Sequence, residues 1–232
     1  MMAGPRYAIY FVPDPDTALY RFGAAALGYD CFTGADIPTL DALPVDAGAW
    51  RELTHEPRRY GFHATLKAPF HLAAGRAEAE LIEEFIAFSG TIRFAPAFAP
   101  TVCLLQRFVA IVPVTVRAGL DRLAASCVKH FDGFRAPLIS ADRTRRLAAH
   151  LTARQIGHVE RWGYPYVFED FRFHMTLTGA LSADCQEPML ACLQRGFRCS
   201  HGDGPIPIDR LALLRQDNPC ARFVVLAHRV IS

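Results

Sequence analysis

The chain has 232 residues, 51% of them hydrophobic, with 25 basic against 23 acidic side chains and a formal net charge of +2. So near a balance excludes a global polyanion-binding field, and any nucleic-acid or phosphate site must be local. No uninterrupted apolar run nears the roughly 20 residues of a membrane helix, and the opening MMAGPRYAIYFVPD lacks a secretory h-region and cleavage site, so a cytoplasmic protein with no membrane partner is expected.

The first strand is expected over residues 6–12, ended by Pro13 and Pro15. Asp16 and Thr17 offer N-cap chemistry for a helix through Leu27, with Gly28 as its stop. Residues 30–58 are rich in Pro, Asp and Gly without a period and read as an irregular connection holding a short helix near 46–53. A strand at 60–67 is followed by an amphipathic helix at 76–89 with Leu81, Ile82, Phe85 and Phe88 inward. Two strands come next, one reaching Gln106 and one over 108–116, then helices at 118–131 and within 140–162. A strand at 172–178, a helix at 184–197 and a hairpin pairing 211–216 with 222–230 across Asn218-Pro219 close the chain.

Seven cysteines with no CxxC pair argue against a disulfide framework or a zinc knuckle. Cys185, Cys192 and Cys199 recur every seven residues, about 10 Å apart along a helix, too far to share one metal. They are expected on the inner helix face beside Met189 and Leu193.

The strand RYGFHATLKAPF carries His63, Thr65 and Lys67 on one face and Phe62, Ala64 and Leu66 on the other. FRFHMTLTG repeats the pattern, with His174, Thr176 and Thr178 opposite Phe173, Met175 and Leu177. The order strand, helix, strand, strand follows both copies, and 44 residues separate His63 from Arg107 against 48 from His174 to Arg222. This reads as an internal duplication, one repeat over about 60–116 and the other over about 171–230, within a single bilobal domain spanning 1–232. The fold class expected is α+β: two antiparallel sheets facing a central groove, with helices on their outer faces.

Two His-x-Thr-Leu strands in a duplicated chain of this size resemble the 2H phosphoesterase superfamily, which includes the RNA ligase-like cyclic phosphodiesterases. RYGFHATLKAPF, FRFHMTLTG and LLRQDNPCARF are similar, more narrowly, to its branch associated with phosphonate metabolism. The resemblance implies a bilobal pseudo-twofold fold with His63, Thr65, His174 and Thr176 across one groove, and a ribose cyclic phosphate as substrate.

Those residue types suit the hydrolysis of a cyclic phosphodiester without a cofactor. One imidazole deprotonates water, the other protonates the departing alkoxide, and both titrate near neutrality. Threonine hydroxyls two residues from each histidine donate to the non-bridging oxygens. Activity is then expected to peak between two apparent pKa values. Lys67, Tyr60, Tyr7 and Arg215 are candidate substrate-binding residues, and Arg143, Arg145 and Arg146 form a basic cluster that draws phosphorylated substrates or serves as a helix's wet face. The expected substrate is a small phosphorylated sugar or nucleotide, ahead of RNA. Two other readings stay open: a metal-dependent phosphoesterase using His55, His63, His71 and His174, and a noncatalytic RNA or nucleotide binder.

Overall fold

The computed structural model describes residues 4–115, 118–148 and 150–231, with the side chains of Ala141 and Arg145 outside that description. Strand β1 (Arg6–Phe11) leads into helix α1 (Ala18–Leu27), where Thr17 Oγ1 accepts from the Tyr20 amide and Gly28 closes the helix at φ 64°. The predicted cap and stop both hold. Next come the small ladder β2 (Tyr29–Asp30) with β3 (Ala35–Asp36), then α2 (Ala47–Leu53), capped by Asp46, and α3 (His55–Arg58).

The first motif strand is β4 (Ala64–His71), followed by α4 (Glu78–Ser89), the short β5 (Ala97–Phe98) and the hairpin β6 (Pro100–Leu105) with β7 (Phe108–Pro113). The expected end of that last strand, Val116, lies outside the described residues. Helices α5 (Ala118–His130), α6 (Ser140–Leu147) and α7 (Ala153–Trp162) precede the second motif strand, β8, which is only Met175–Thr176. It ends early because the amides of Leu177 and Thr178 both turn to the Val109 carbonyl, while Thr178 Oγ1 accepts from the Val109 amide. Helix α8 (Ala183–His201), β9 (Ile206–Pro207) and the hairpin β10 (Arg210–Gln216) with β11 (Val224–Val230) complete the chain.

The class is α+β with antiparallel pairing throughout the main sheet, whose order is β11-β10-β1-β4-β8-β7-β6. The two halves expected as separate sheets are continuous, joined between β4 and β8 by the pair Ala64 and Met175. The hairpins do not stay with the motif strands that precede them in the chain. The β6–β7 hairpin lies beside β8 and under α8, while the β10–β11 hairpin lies under α4 and reaches β4 through β1. The two motif strands sit side by side in the middle of the sheet.

One core runs through both halves, from Phe11, Phe62 and Met175 to Phe85, Leu193 and Leu213. Along α8 it takes Met189, Leu193 and Phe197; Cys185 packs against this core as expected, Cys192 is partly buried at its edge, and Cys199 is exposed, contrary to the expected inner face. Phe197 and Cys199 are two residues apart, about 200° around a helix, which puts Cys199 outward. Gly23 of α1 permits the closest approach to the motif strand, because a Cβ there would stand 2.2 Å from the ring of fully buried Phe62. Gly23→Ala should cost about 1–3 kcal/mol by overpacking and lower the melting temperature by about 2–4 °C per kcal/mol. An unchanged thermal melt would show that Phe62 is free to yield.

Among the described residues no helix is long and apolar enough to cross a membrane.

Candidate active site

The pairing of Ala64 with Met175 sets the geometry of the motifs. Carried one residue each way, the antiparallel register places His63 opposite Thr176 and Thr65 opposite His174, where Cβ atoms of facing residues stand about 4.5–5.5 Å apart. Ala64, Leu66, Met175 and Leu177 are buried beneath, while all four motif side chains are partly exposed above. The two histidines thus lie on a diagonal with a threonine beside each.

Both rings are fixed in the same way. His63 Nδ1 lies 2.9 Å from the Gly61 carbonyl and His174 Nδ1 lies 2.8 Å from the Arg172 carbonyl, in each case two residues back along the chain. A carbonyl has no proton to give, so Nδ1 carries the hydrogen, and in the neutral ring Nε2 holds the lone pair. His63 Nε2 is 3.2 Å from Thr65 Oγ1. Gly61 turns the chain ahead of His63 at φ 74°, and a Cβ there would meet Cys31 at 2.6 Å, so glycine is required on both counts.

The Tyr10 ring stacks on His63 with centroids 3.9 Å apart, and Tyr60 flanks it at 6.2 Å. Phe108 stands 5.9 Å from His174. Burial, reinforced by the charge of His174 and opposed by the Gly61 carbonyl, lowers the His63 pKa to about 4. Three hollows adjoin along the motif strands. Thr65 lines both the region of about 420 Å³ that holds His63 and Tyr10 and the region of about 370 Å³ that holds His174 and Gln106, while His63 and Thr176 share the adjoining wall.

Of the expected substrate-binding residues, Tyr60 lines this cleft and three do not face it. Lys67 is 3% exposed, and its Nζ donates to the Val128 carbonyl at 3.0 Å and pairs with Asp132 at 3.5 Å. Burial pushes its ammonium down to about 8, against the pull of Asp132. The departure has a local cause: the β1–β4 register slips between Ile9–Lys67 and Tyr10–Thr65, and this irregularity ends the strict alternation that would put Lys67 beside Thr65. Tyr7 and Arg215 face each other across β1 and β10, and both bind Glu78, Tyr7 Oη at 2.7 Å and Arg215 Nη1 at 2.9 Å. They form a structural triad under α4. In the basic cluster Arg143 pairs with Glu160 at 2.5 Å, whereas Arg146 lines the cleft. His55 sits beside Glu56 and His71 beside the Pro5 carbonyl, and among the described residues no three His, Cys, Asp or Glu side chains gather as a metal site.

Residues 65–224 match the model of a family described as a protein of unknown function, DUF1045. The chain belongs to that family. It is also 36% identical over 225 residues to "Ribose 1,5-bisphosphate phosphokinase PhnN" of Janthinobacterium sp. (strain Marseille), covering 94% of this chain and 49% of that protein. With the protein of the same name from Laribacter hongkongensis (strain HLHK9) it shares 34% identity over 228 residues, 94% of this chain and 50% of that one. The chain thus spans about half the length of the curated relatives it matches. Among solved structures, E. coli LigT complexed with 3'-AMP is similar at 14% identity with a TM-score of 0.46, covering 99% of both chains. A structure described as a phosphoesterase has 13% identity and a TM-score of 0.41 at the same coverage.

Proposed function

We propose that the protein is a phosphodiesterase that opens a small cyclic phosphate by two-histidine acid/base catalysis. The observation that carries this reading is the matched pinning of the His63 and His174 Nδ1 atoms, which leaves an Nε2 of each available to the cleft. His63, kept neutral by burial, takes a proton from the attacking water. The water oxygen forms the new bond to phosphorus as the ring P–O bond breaks, and protonated His174 delivers its proton to the departing alkoxide. Thr65 and Thr176 donate to the non-bridging oxygens as charge gathers there. The chemistry asks no oxidant or further reactant beyond water.

The relatives named for a ribose 1,5-bisphosphate kinase suggest the substrate. Their longer chains would use a ribose carrying phosphate at C1, which hydrolysis of a ribose 1,2-cyclic phosphate supplies when the bond to O2 breaks. Purified protein in excess chelator should open ribose 1,2-cyclic phosphates faster than nucleoside 2′,3′-cyclic phosphates. Activity that vanishes with chelator and returns with Zn²⁺ or Mn²⁺ would replace this mechanism with a metal-dependent one, and binding without turnover would make the protein a noncatalytic binder.

The lowered His63 pKa sets the sign of the pH dependence. The base form persists in the free enzyme until pH falls through about 4, so the acid limb of kcat/KM should lie well below the ordinary imidazole value of about 6.5. A bound anionic substrate favours the charged ring, so the acid limb of kcat should lie higher than that of kcat/KM. A kcat/KM limb at or above 6.5 would contradict the assignment of His63 as the base.

A further inference from the structure

The cleft beside His63 does not end at the motif. It continues along β1 to Arg6 and is walled there by Arg59 and Arg146, with Glu56 as the one carboxylate among its described lining residues. Arg6 is held by an unusual partner: its Nε and Nη2 reach Gln216 Oε1 at 2.8 and 2.5 Å. Gln216 is 1% exposed, and its own Nε2 donates to the Ala221 carbonyl at 2.7 Å, which fixes which end of the amide faces Arg6. A neutral amide orients a guanidinium without cancelling its charge, and among the described residues no carboxylate pairs with Arg6. Arg59 leans on the Pro219 carbonyl and is 3.9 Å from Glu56, and Arg146 lies over the Tyr164 ring at 5.3 Å. Three arginines thus line one part-enclosed space, and planar guanidinium donors suit a phosphate there.

This anion site is distinct from the one between the histidines. Arg6 and Tyr10 are four residues apart on β1, about 13 Å of strand, and Tyr10 is the residue stacked on His63. A phosphorus atom flanked by the two imidazoles leaves the Arg6 end of the cleft for a second anionic group.

We propose that Arg6, oriented by Gln216 and assisted by Arg59 and Arg146, forms a subsite for a phosphomonoester carried by the substrate away from its cyclic diester. The substrate class is then a sugar cyclic phosphate already bearing a terminal phosphate, such as ribose 1,2-cyclic phosphate phosphorylated at O5, whose opening at O2 yields a sugar with phosphates at C1 and C5. This rests on the cyclic phosphodiesterase reading, but its binding component is measured separately.

The test compares kcat/KM for ribose 1,2-cyclic phosphate and for its 5-phosphate in the wild type, Arg6→Gln and Arg59→Gln, with circular dichroism melts to establish folding. The wild type should prefer the 5-phosphate by about 10- to 100-fold, the scale of one or two hydrogen bonds to a charged group. Each variant should shrink that ratio several-fold or more, mainly through KM. A calorimetric titration with D-ribose 5-phosphate should show binding to the wild type and to His63→Ala and weakened binding to Arg6→Gln. Equal wild-type rates on the two substrates, or variants that keep the preference, would overturn the subsite. If neither substrate is hydrolysed but ribose 5-phosphate still binds in an Arg6-dependent way, the subsite stands and the catalytic reading falls. If ribose 5-phosphate binds equally to all the proteins, or to none of them, the subsite falls.

Discussion

His63→Ala and His174→Ala should each lower turnover of a cyclic phosphate by at least about 100-fold, since each removes one positioned proton transfer typically worth about 10²- to 10⁴-fold. The fold should survive both changes. Each ring sits on the open face of its strand, with the buried packing carried by Phe62, Ala64 and Met175 beneath. Loss of His63 should also remove the acid limb from the residual kcat/KM profile, because the proposed mechanism makes neutral His63 the base, and its lowered pKa puts its protonation at low pH. Steady-state kinetics with melting curves on the same preparations would check this. Near-wild-type rates in both variants would mean that the imidazoles are not the acid and base.

The second large effect belongs to the threonines. Thr65→Val and Thr176→Val keep the shape of the side chain and delete a hydroxyl, so each should cost about 10- to 10³-fold in kcat by removing one donor to the transition state. The two need not be equal. Thr65 lies 3.2 Å from His63 Nε2, so its loss also frees the ring that it helps to hold. A change confined to KM would make the threonines substrate-binding groups that do not respond to the developing charge.

The motif pairs were legible in the sequence because their alternation is a period-2 signal: Phe62, Ala64, Phe173 and Met175 are buried, and the histidines and threonines stand on the other face. Caps and turns were equally local, as at Thr17 and Gly28, or at Asn218, whose Oδ1 accepts from the Cys220 and Ala221 amides. Alternation failed where strand pairing breaks it. The register slip on β4 buried Lys67, and nothing in the spacing of residues 63–67 announces a slip that is made against β1. Tyr7 and Tyr10 are three apart on one strand, so period 2 puts them on opposite faces, and the choice between them needed the partner strand: Tyr7 meets Glu78 and Tyr10 meets His63. Arg215 followed Tyr7, its cross-strand neighbour, away from the cleft. The placement of the hairpins was invisible for the same reason. A repeat tells which segments are alike and leaves open which copy pairs with which. Arg6 reads as an ordinary strand-end cation until Gln216, 210 residues later, is placed opposite it.

The shared phosphorus site is tested most directly by a structure of the protein with vanadate as a mimic of the five-coordinate transition state. We expect one vanadium flanked by Nε2 of His63 and Nε2 of His174, with the hydroxyls of Thr65 and Thr176 on its equatorial oxygens. Vanadate bound away from either histidine, or imidazoles more than about 10 Å apart around it, beyond the reach of near-attack geometry, would contradict catalysis at one shared site.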